Sequence, residues 1–83
     1  MPKDIIRYQH NDTNICVRDY WNKTQLLFDD VVVDARKGMI SFGYSLHGKI
    51  GNDLVDVNAI LRLVGESVQL SANGCVVAKA WKA

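Results

Sequence analysis

The chain has 83 residues, of which 48% are hydrophobic and 23% charged, and its formal net charge is +1. This composition excludes a disordered segment, which would have few apolar residues and a large net charge. It also excludes a membrane-spanning helix, which needs about 20 consecutive apolar residues. A chain this short supports only one hydrophobic core, so we expect a single small β domain over residues 1–83.

The near-zero net charge argues against nucleic acid as a partner for the chain as a whole, because phosphate neutralisation supplies most of the affinity of nucleic-acid-binding proteins. It argues in the same way against an anionic membrane surface. The stretch from Met1 to Arg7 has no apolar run of signal-peptide length, which predicts a cytoplasmic location. Cys16 and Cys75 are too few for a disulfide scaffold, and free thiols are expected, with a disulfide between them as the alternative.

The N-terminal part of the chain predicts two strands. Residues 4–8 suit a short edge strand, residues 11–14 are loop-like, and residues 15–21 form a strand that turns just beyond its end. The register of that hairpin places Asp19 opposite Leu26, a polar–apolar pair that weakens the case for it.

Strict alternation of apolar and small polar residues marks a strand from residue 40 to residue 46. A turn at Lys37–Gly38 would pair it with the preceding strand, and a β-bulge near Asp29–Asp30 would keep the apolar pairing in register further upstream. The apolar positions of this strand are Ile40, Phe42, Tyr44 and Leu46.

Three further turns are predicted, at Asn52–Asp53, Gly65–Glu66 and Asn73–Gly74. Asn-Gly between two strand-like runs is the strongest short-range hairpin signal, because both turn positions require a positive φ. Together with the turn at Lys37–Gly38, these turns place the apolar side chains of consecutive strands on one shared face.

Residues 54–64 also fit a helix, with Asp53 as its N-cap and Gly65 just past its end. A strand is favoured there because it leaves the apolar pairing unbroken on both sides. The predicted fold class is therefore all-β, an antiparallel up-and-down meander of about six strands curled into a small barrel or sandwich. The alternative is an α+β fold with one helix at 54–64.

Neither histidine defines a site from the sequence. His10 and Asp12 offer too few ligands to hold a metal ion. His47 falls on the polar face opposite Asn58, with no hydroxyl, thiol or carboxylate placed as its partner. A small enzyme built around His47 with Asp56 or Lys49 nearby is a minor hypothesis.

The remaining motifs are equally uninformative about chemistry. No phosphate-binding glycine loop and no nucleophile elbow occurs. The acidic residues Asp29, Asp30 and Asp34 lack the spacing of a calcium loop and are interpreted as a solvated edge. No catalytic residue, metal site or cofactor is therefore predicted, and the chain is expected not to be an enzyme.

Apolar residues also point away from the predicted core. A group of them indicates a second layer or a protein interface, so either the N-terminal segment or a second subunit would cover them. The predicted function is a non-enzymatic protein–protein interaction module that self-associates, serving as an assembly subunit, an adaptor or an inhibitor of a larger protein. The predicted interface residues are Val32, Leu54, Ile60, Val64 and Val76.

The alternative function rests on one hairpin. Arg18, Tyr20 and Lys23 place basic and aromatic groups together, with Arg18 and Tyr20 on the same face. Such a combination can stack bases and hold phosphates, which is typical of a small β-barrel that binds single-stranded nucleic acid.

Overall fold

The computed structural model describes residues 3–37, 43–62 and 65–82, and all of its regular elements are β-strands. They form two four-stranded antiparallel sheets, in each of which consecutive strands pair. The predicted all-β antiparallel class is confirmed, with eight strands instead of about six and with two separate sheets instead of a closed barrel. Sheet 1 contains β1 (Lys3–His10), β2 (Thr13–Tyr20), β3 (Lys23–Phe28) and β4 (Val31–Lys37). Sheet 2 contains β5 (Gly43–Ile50), β6 (Asp53–Arg62), β7 (Gly65–Ala72) and β8 (Cys75–Lys82).

The helical alternative is excluded for residues 54–62, which belong to β6. Residues 63 and 64 lie outside the described part of the chain. Strand geometry is preferred here because alternate residues of β6 enter the core: Val55 and Val57 are fully buried and Ala59 is nearly so. A period of two suits a strand with one buried face, whereas a helix would bury every third or fourth residue.

The Asn73–Gly74 turn is confirmed, with Ala72 opposite Cys75 and φ angles of 52° and 82° at the two turn residues. The predicted turn at Gly65–Glu66 is wrong, because Gly65 pairs directly with Arg62. Gly65 and Glu66 belong to β7 instead, where Glu66 pairs with Leu61.

Two other hairpins have pairing partners that differ by two residues from the predicted ones. The turn between β5 and β6 lies at Gly51–Asn52, since Ile50 pairs with Asp53 and not with Val55. In sheet 1, Asp19 pairs with Thr24 and not with Leu26. A slip of two residues leaves every side chain on its original face, so apolar alternation could not distinguish these registers from the predicted ones.

The predicted β-bulge near Asp29–Asp30 is wrong, because these residues form the turn between β3 and β4. Both have positive φ, 50° and 66°, as both central residues of a type I′ hairpin turn require. Aspartate tolerates this conformation better than most residues, and the turn splits the single predicted strand into two.

The predicted pairing across Lys37–Gly38 is also wrong, since β4 and β5 belong to different sheets. Residues 38–42 lie outside the described residues. The buried faces of both sheets contribute to one apolar cluster. Matching apolar faces therefore could not tell a partner within a sheet from a partner across the sandwich.

The core is built from equivalent positions of the two sheets, buried because the sheets pack face to face. Its members from sheet 1 are Ile6, Ile15, Val17 and Leu26, and those from sheet 2 are Leu46, Val55, Val57, Ala59, Val68 and Leu70.

The two sheets are structural repeats of one meander. Each has a register shift at the same place between its third and fourth strands, after Leu26 in sheet 1 and after Leu70 in sheet 2. Each also has the same clamp between its second strand and its last turn. In sheet 1 the N–H of Asn14 donates to Asp29 Oδ1 at 2.9 Å, and the Asp29 N–H donates back to the Asn14 carbonyl at 2.8 Å.

In sheet 2 the same two bonds join Leu54 and Asn73. The Leu54 N–H donates to Asn73 Oδ1 at 2.9 Å, and the Asn73 N–H donates to the Leu54 carbonyl at 2.8 Å. A short side chain with an oxygen at the first turn position is sufficient for this clamp, which explains why aspartate and asparagine are interchangeable there.

Edge strands β4 and β5 lie side by side without forming a ladder. A Cβ at Gly48 would lie only 2.6 Å from the Phe28 ring, so the absence of a side chain lets that ring approach β5. Asp34 Oδ2 accepts the backbone N–H of His47 at 2.8 Å, which satisfies a donor at the edge of β5.

Two candidate binding faces

One row of side chains crosses the outer face of sheet 2 near the C-terminal end of β6, its longest strand. Ile60 pairs with Ser67, which in turn pairs with Trp81. Ile60 and Trp81 are 52% and 53% exposed, although both are large apolar residues. The small serine between them leaves both side chains accessible from the same side of the sheet.

Leu54 and Val76 lie at the opposite end of the same face and are 53% and 46% exposed. Val76 pairs with Ser71, whereas Ile60 pairs with Ser67. The two apolar pairs are separated by a polar row, Asn58–Gln69–Lys79.

The structure places one of the other two predicted interface residues, on the opposite sheet. Val32 is on the outer face of sheet 1, where it pairs with Leu27 and is 45% exposed. Val64 lies outside the described residues. The structure thus brings Ile60 near Trp81, a residue that the sequence reasoning did not select. A tryptophan next to the charged Lys82 was the one signal in the sequence that could have indicated an exposed aromatic residue there.

The outer face of sheet 1 is organised around one carboxylate. Asp4 Oδ1 accepts Arg18 Nε–H at 2.8 Å, and Asp4 Oδ2 accepts Arg7 Nε–H at 2.9 Å. Arg18 and then Arg7 hold the pKa of Asp4 well below its ordinary value, because their hydrogen bonds favour the ionised form. Cys16 pairs with Arg7 in the same region, and burial followed by the contact with Asp4 raises the pKa of its thiol.

Tyr20 and Lys23 face each other at the end of the same sheet. They form the last pair of β2 and β3, and the Lys23 ammonium lies 4.5 Å from the centre of the Tyr20 ring. This is a cation–π contact between neighbouring strands. Lys37 pairs with Lys23 on the next strand, so a second ammonium group extends this row.

The predicted nucleic-acid-binding residues therefore share one face, and the structure adds two cations to them that sequence reasoning missed. Arg7, Arg18, Lys23 and Lys37 lie on the outer side of sheet 1 with Asp4 as the only carboxylate among those strands' outward residues. A depression of about 470 Å³ occupies this face, lined by Arg7, Tyr8, Gln9, Asn14, Ile15, Cys16, Arg18 and, from the β3–β4 turn, Asp30.

His47 has a partner that the displaced register concealed. It pairs with Asp56 rather than Asn58, and its Nδ1 lies 2.6 Å from Asp56 Oδ1. The imidazole is 65% exposed and thus accessible to solvent. Among the described residues, no hydroxyl or thiol is hydrogen-bonded to this ring.

His10 does not act with Asp12 but joins the two sheets. Its Nε2 lies 2.8 Å from Asp53 Oδ2, and Asn73 Nδ2–H donates to the other carboxylate oxygen at 2.9 Å. His10 and then Asn73 lower the pKa of Asp53. In the described part of the chain, no group of three or more potential ligands is placed to hold a metal ion. Cys16 and Cys75 are both free.

The hydroxyl of Tyr44 is buried, at the end of the sandwich opposite the contact between His10 and Asp53. Tyr44 Oη has no hydrogen-bond partner among the described residues, and burial raises the pKa of Tyr44 to about 12. The Arg36 guanidinium lies 5.3 Å from the centre of its ring, joining β4 to β5.

No protein-family description matches this sequence, and no curated protein or solved structure is significantly similar to it. In the ranges that the structure describes, there is no helix long and apolar enough to cross a membrane.

Proposed function

We propose that the chain is a non-enzymatic protein-binding module that self-associates through the outer face of sheet 2. The observation that carries the proposal is the row of Ile60, Ser67 and Trp81, in which two large apolar side chains are half exposed on one side of a sheet. Aromatic side chains at the centre of an interface supply much of its binding energy.

A second copy of the chain is the partner that fits best. Two identical molecules with a net charge of +1 repel each other weakly, so apolar burial meets little electrostatic opposition. A two-fold arrangement would bury the Ile60 and Trp81 side chains of both copies in one interface. Leu54 and Val76 would extend the contact at the other end of the face.

Sedimentation equilibrium at micromolar concentration tests the proposal. The unaltered chain should sediment with at least twice the monomer mass of 9.3 kDa. Trp81→Ser and Ile60→Ser should each shift the equilibrium toward monomer. Trp21→Ser is the matched control, because Trp21 is 75% exposed in the β2–β3 turn of the other sheet, and it should leave association unchanged. A monomeric unaltered chain at all concentrations would refute self-association.

A further inference from the structure

We propose that the outer face of sheet 1 binds single-stranded nucleic acid, with Arg7, Arg18 and Lys23 contacting phosphates and Tyr20 stacking on a base. This site is separate from the self-association surface proposed above, which belongs to the other sheet. The sequence alone predicted Arg18, Tyr20 and Lys23 for such a site. The structure adds Arg7 and the depression on the same face.

Charge segregation is the first support. The whole chain has a net charge of +1, yet the strands of sheet 1 present four cationic side chains and one carboxylate on their outer side. Of the other carboxylates, those of Asp12, Asp29 and Asp53 lie at or beside turns at one end of the sandwich, and Asp30 of the β3–β4 turn lines the depression. Because phosphate contacts are local and screened over about 10 Å, the charge of this face matters more than the net charge.

The arrangement of the cations is the second support. Arg7, Arg18 and Lys23 occupy three successive cross-strand rows of one face. Successive rows on one face of a sheet are about 7 Å apart, which is of the order of the distance between neighbouring phosphates in an extended strand. Asp4 holds both guanidinium groups, so they are positioned before a ligand arrives.

Arg18 keeps binding capacity despite this ion pair. Its hydrogen bond to Asp4 uses the Nε–H, at 2.8 Å. A guanidinium presents five N–H donors in a planar fork that suits phosphate oxygens.

Tyr20 and the depression favour nucleic acid over an acidic peptide. The Lys23 ammonium lies over the ring of Tyr20, 4.5 Å from its centre, so a base that stacks on this face would displace the ammonium toward the base's own phosphate. The amide side chains of Gln9 and Asn14 line the depression and can donate to and accept from base edges. Unpaired bases are required because a paired base has its hydrogen-bonding edge and both faces occupied.

Fluorescence anisotropy with labelled oligothymidylate and oligouridylate tests the proposal and separates DNA from RNA as the natural ligand. Saturable binding is expected, with affinity falling as salt rises by a log–log slope of about −2, which corresponds to three phosphate contacts. Lys23→Gln should reduce the slope by about 0.7. Tyr20→Leu should weaken binding about five-fold or more, and Tyr20→Phe should restore it.

The matched control is Lys49→Gln, an exposed cation on the outer face of sheet 2, which should leave binding unchanged. Trp81→Phe leaves Trp21 as the one tryptophan of the chain. The fluorescence of Trp21 should then change when oligonucleotide is added, and the residues of the proposed nucleic-acid site stay unaltered in this variant. Absence of binding at low salt to either oligonucleotide would overturn the proposal. So would equal binding of duplex DNA or polyglutamate, or equal losses for Lys23→Gln and Lys49→Gln.

Discussion

Sheet 1 and sheet 2 use the same meander to build one core, and they differ mainly on the sides that face away from it. Ile15 and Val17 of β2 occupy the places of Val55 and Val57 of β6, and all four are buried. Outward residues obey no such constraint, because a solvated side chain need not fit a neighbouring layer. A shared interior therefore permits different surfaces. Four cationic side chains lie on the outer face of sheet 1, and Ile60 and Trp81 are exposed on the outer face of sheet 2.

The two sheets also differ in where they place large and small side chains at one point of the interior. Phe28 of sheet 1 packs against Gly48 of sheet 2. The positions equivalent to these in the opposite sheet are Ala72 and Tyr8, where the small and the large residue have changed places. Equal total volume can therefore be reached by different local choices, as close packing requires.

The largest expected effect tests whether the two sheets share a single core. Leu26 and Leu70 are equivalent and fully buried, so each Leu→Ala variant should lower the free energy of unfolding by about 2–5 kcal/mol. Urea denaturation followed by far-UV circular dichroism should show one transition in both. Val31→Ala, at a residue 64% exposed, is the control and should change stability by at most about 0.5 kcal/mol. Two separate transitions would mean that the sheets unfold independently.

The next effect concerns the contact between the sheets. Gly48→Ala should cost about 1–3 kcal/mol, because the added methyl group would lie 2.6 Å from the Phe28 ring and 3.2 Å from Val33. The double variant Gly48→Ala/Phe28→Leu should recover part of the loss, which a thermodynamic cycle measures by urea denaturation. If Gly48→Ala costs the same free energy with and without the Phe28→Leu substitution, this ring is not responsible.

The smallest expected effect is on the pH dependence of stability. It compares Asp4, which is bonded within sheet 1, with Asp53, which is bonded to His10 of the opposite sheet. The pKa values of Asp4 and Asp53 are both lowered in the folded chain, the first by Arg18 and Arg7 and the second by His10 and Asn73. Their stabilisation is present above the ordinary aspartate pKa of about 4 and is lost as pH falls through the folded-state value.

Thermal unfolding between about pH 6 and pH 1.5 should therefore show a steeper decline for the unaltered chain than for Asp4→Asn or Asp53→Asn, mostly below about pH 4. We expect the larger flattening for Asp4→Asn, because two guanidinium groups favour its ionised form. High salt should reduce the difference by screening these partly exposed pairs. An Asp4→Asn variant with the same acid limb as the unaltered chain would contradict this origin.

Much of the local structure was predictable from residue patterns, and the displaced hairpin turns share one cause. Alternation in β6 indicated a strand, and Asn73–Gly74 indicated a hairpin, because both signals depend on neighbours in the chain. The turn at Gly51–Asn52 lies earlier in the chain than the sequence predicted, and Gly65 and Glu66 belong to a strand instead of a turn. Alternation reports which face a side chain is on but not which partner it opposes.

The candidate sites were predictable only in part. Arg18, Tyr20 and Lys23 were identifiable because they are close in sequence. Arg7 joins them through the pairing of β1 with β2, and Trp81 joins Ile60 through two successive strand pairings. Such neighbours leave no short-range signal in a single sequence.

The sequence by itself determined the all-β class, the faces of the strands and the near-zero total charge, since these follow from composition and from a period of two. Only the tertiary structure decided that the meander divides between Lys37 and Gly43 into two sheets. It also decided that Arg7, Arg18, Lys23 and Lys37 share the outer face of sheet 1, and that Ile60 and Trp81 share the outer face of sheet 2. The physical reason is that sheet partition and surface composition depend on contacts between strands distant in sequence, where the same apolar pattern fits several pairings equally well.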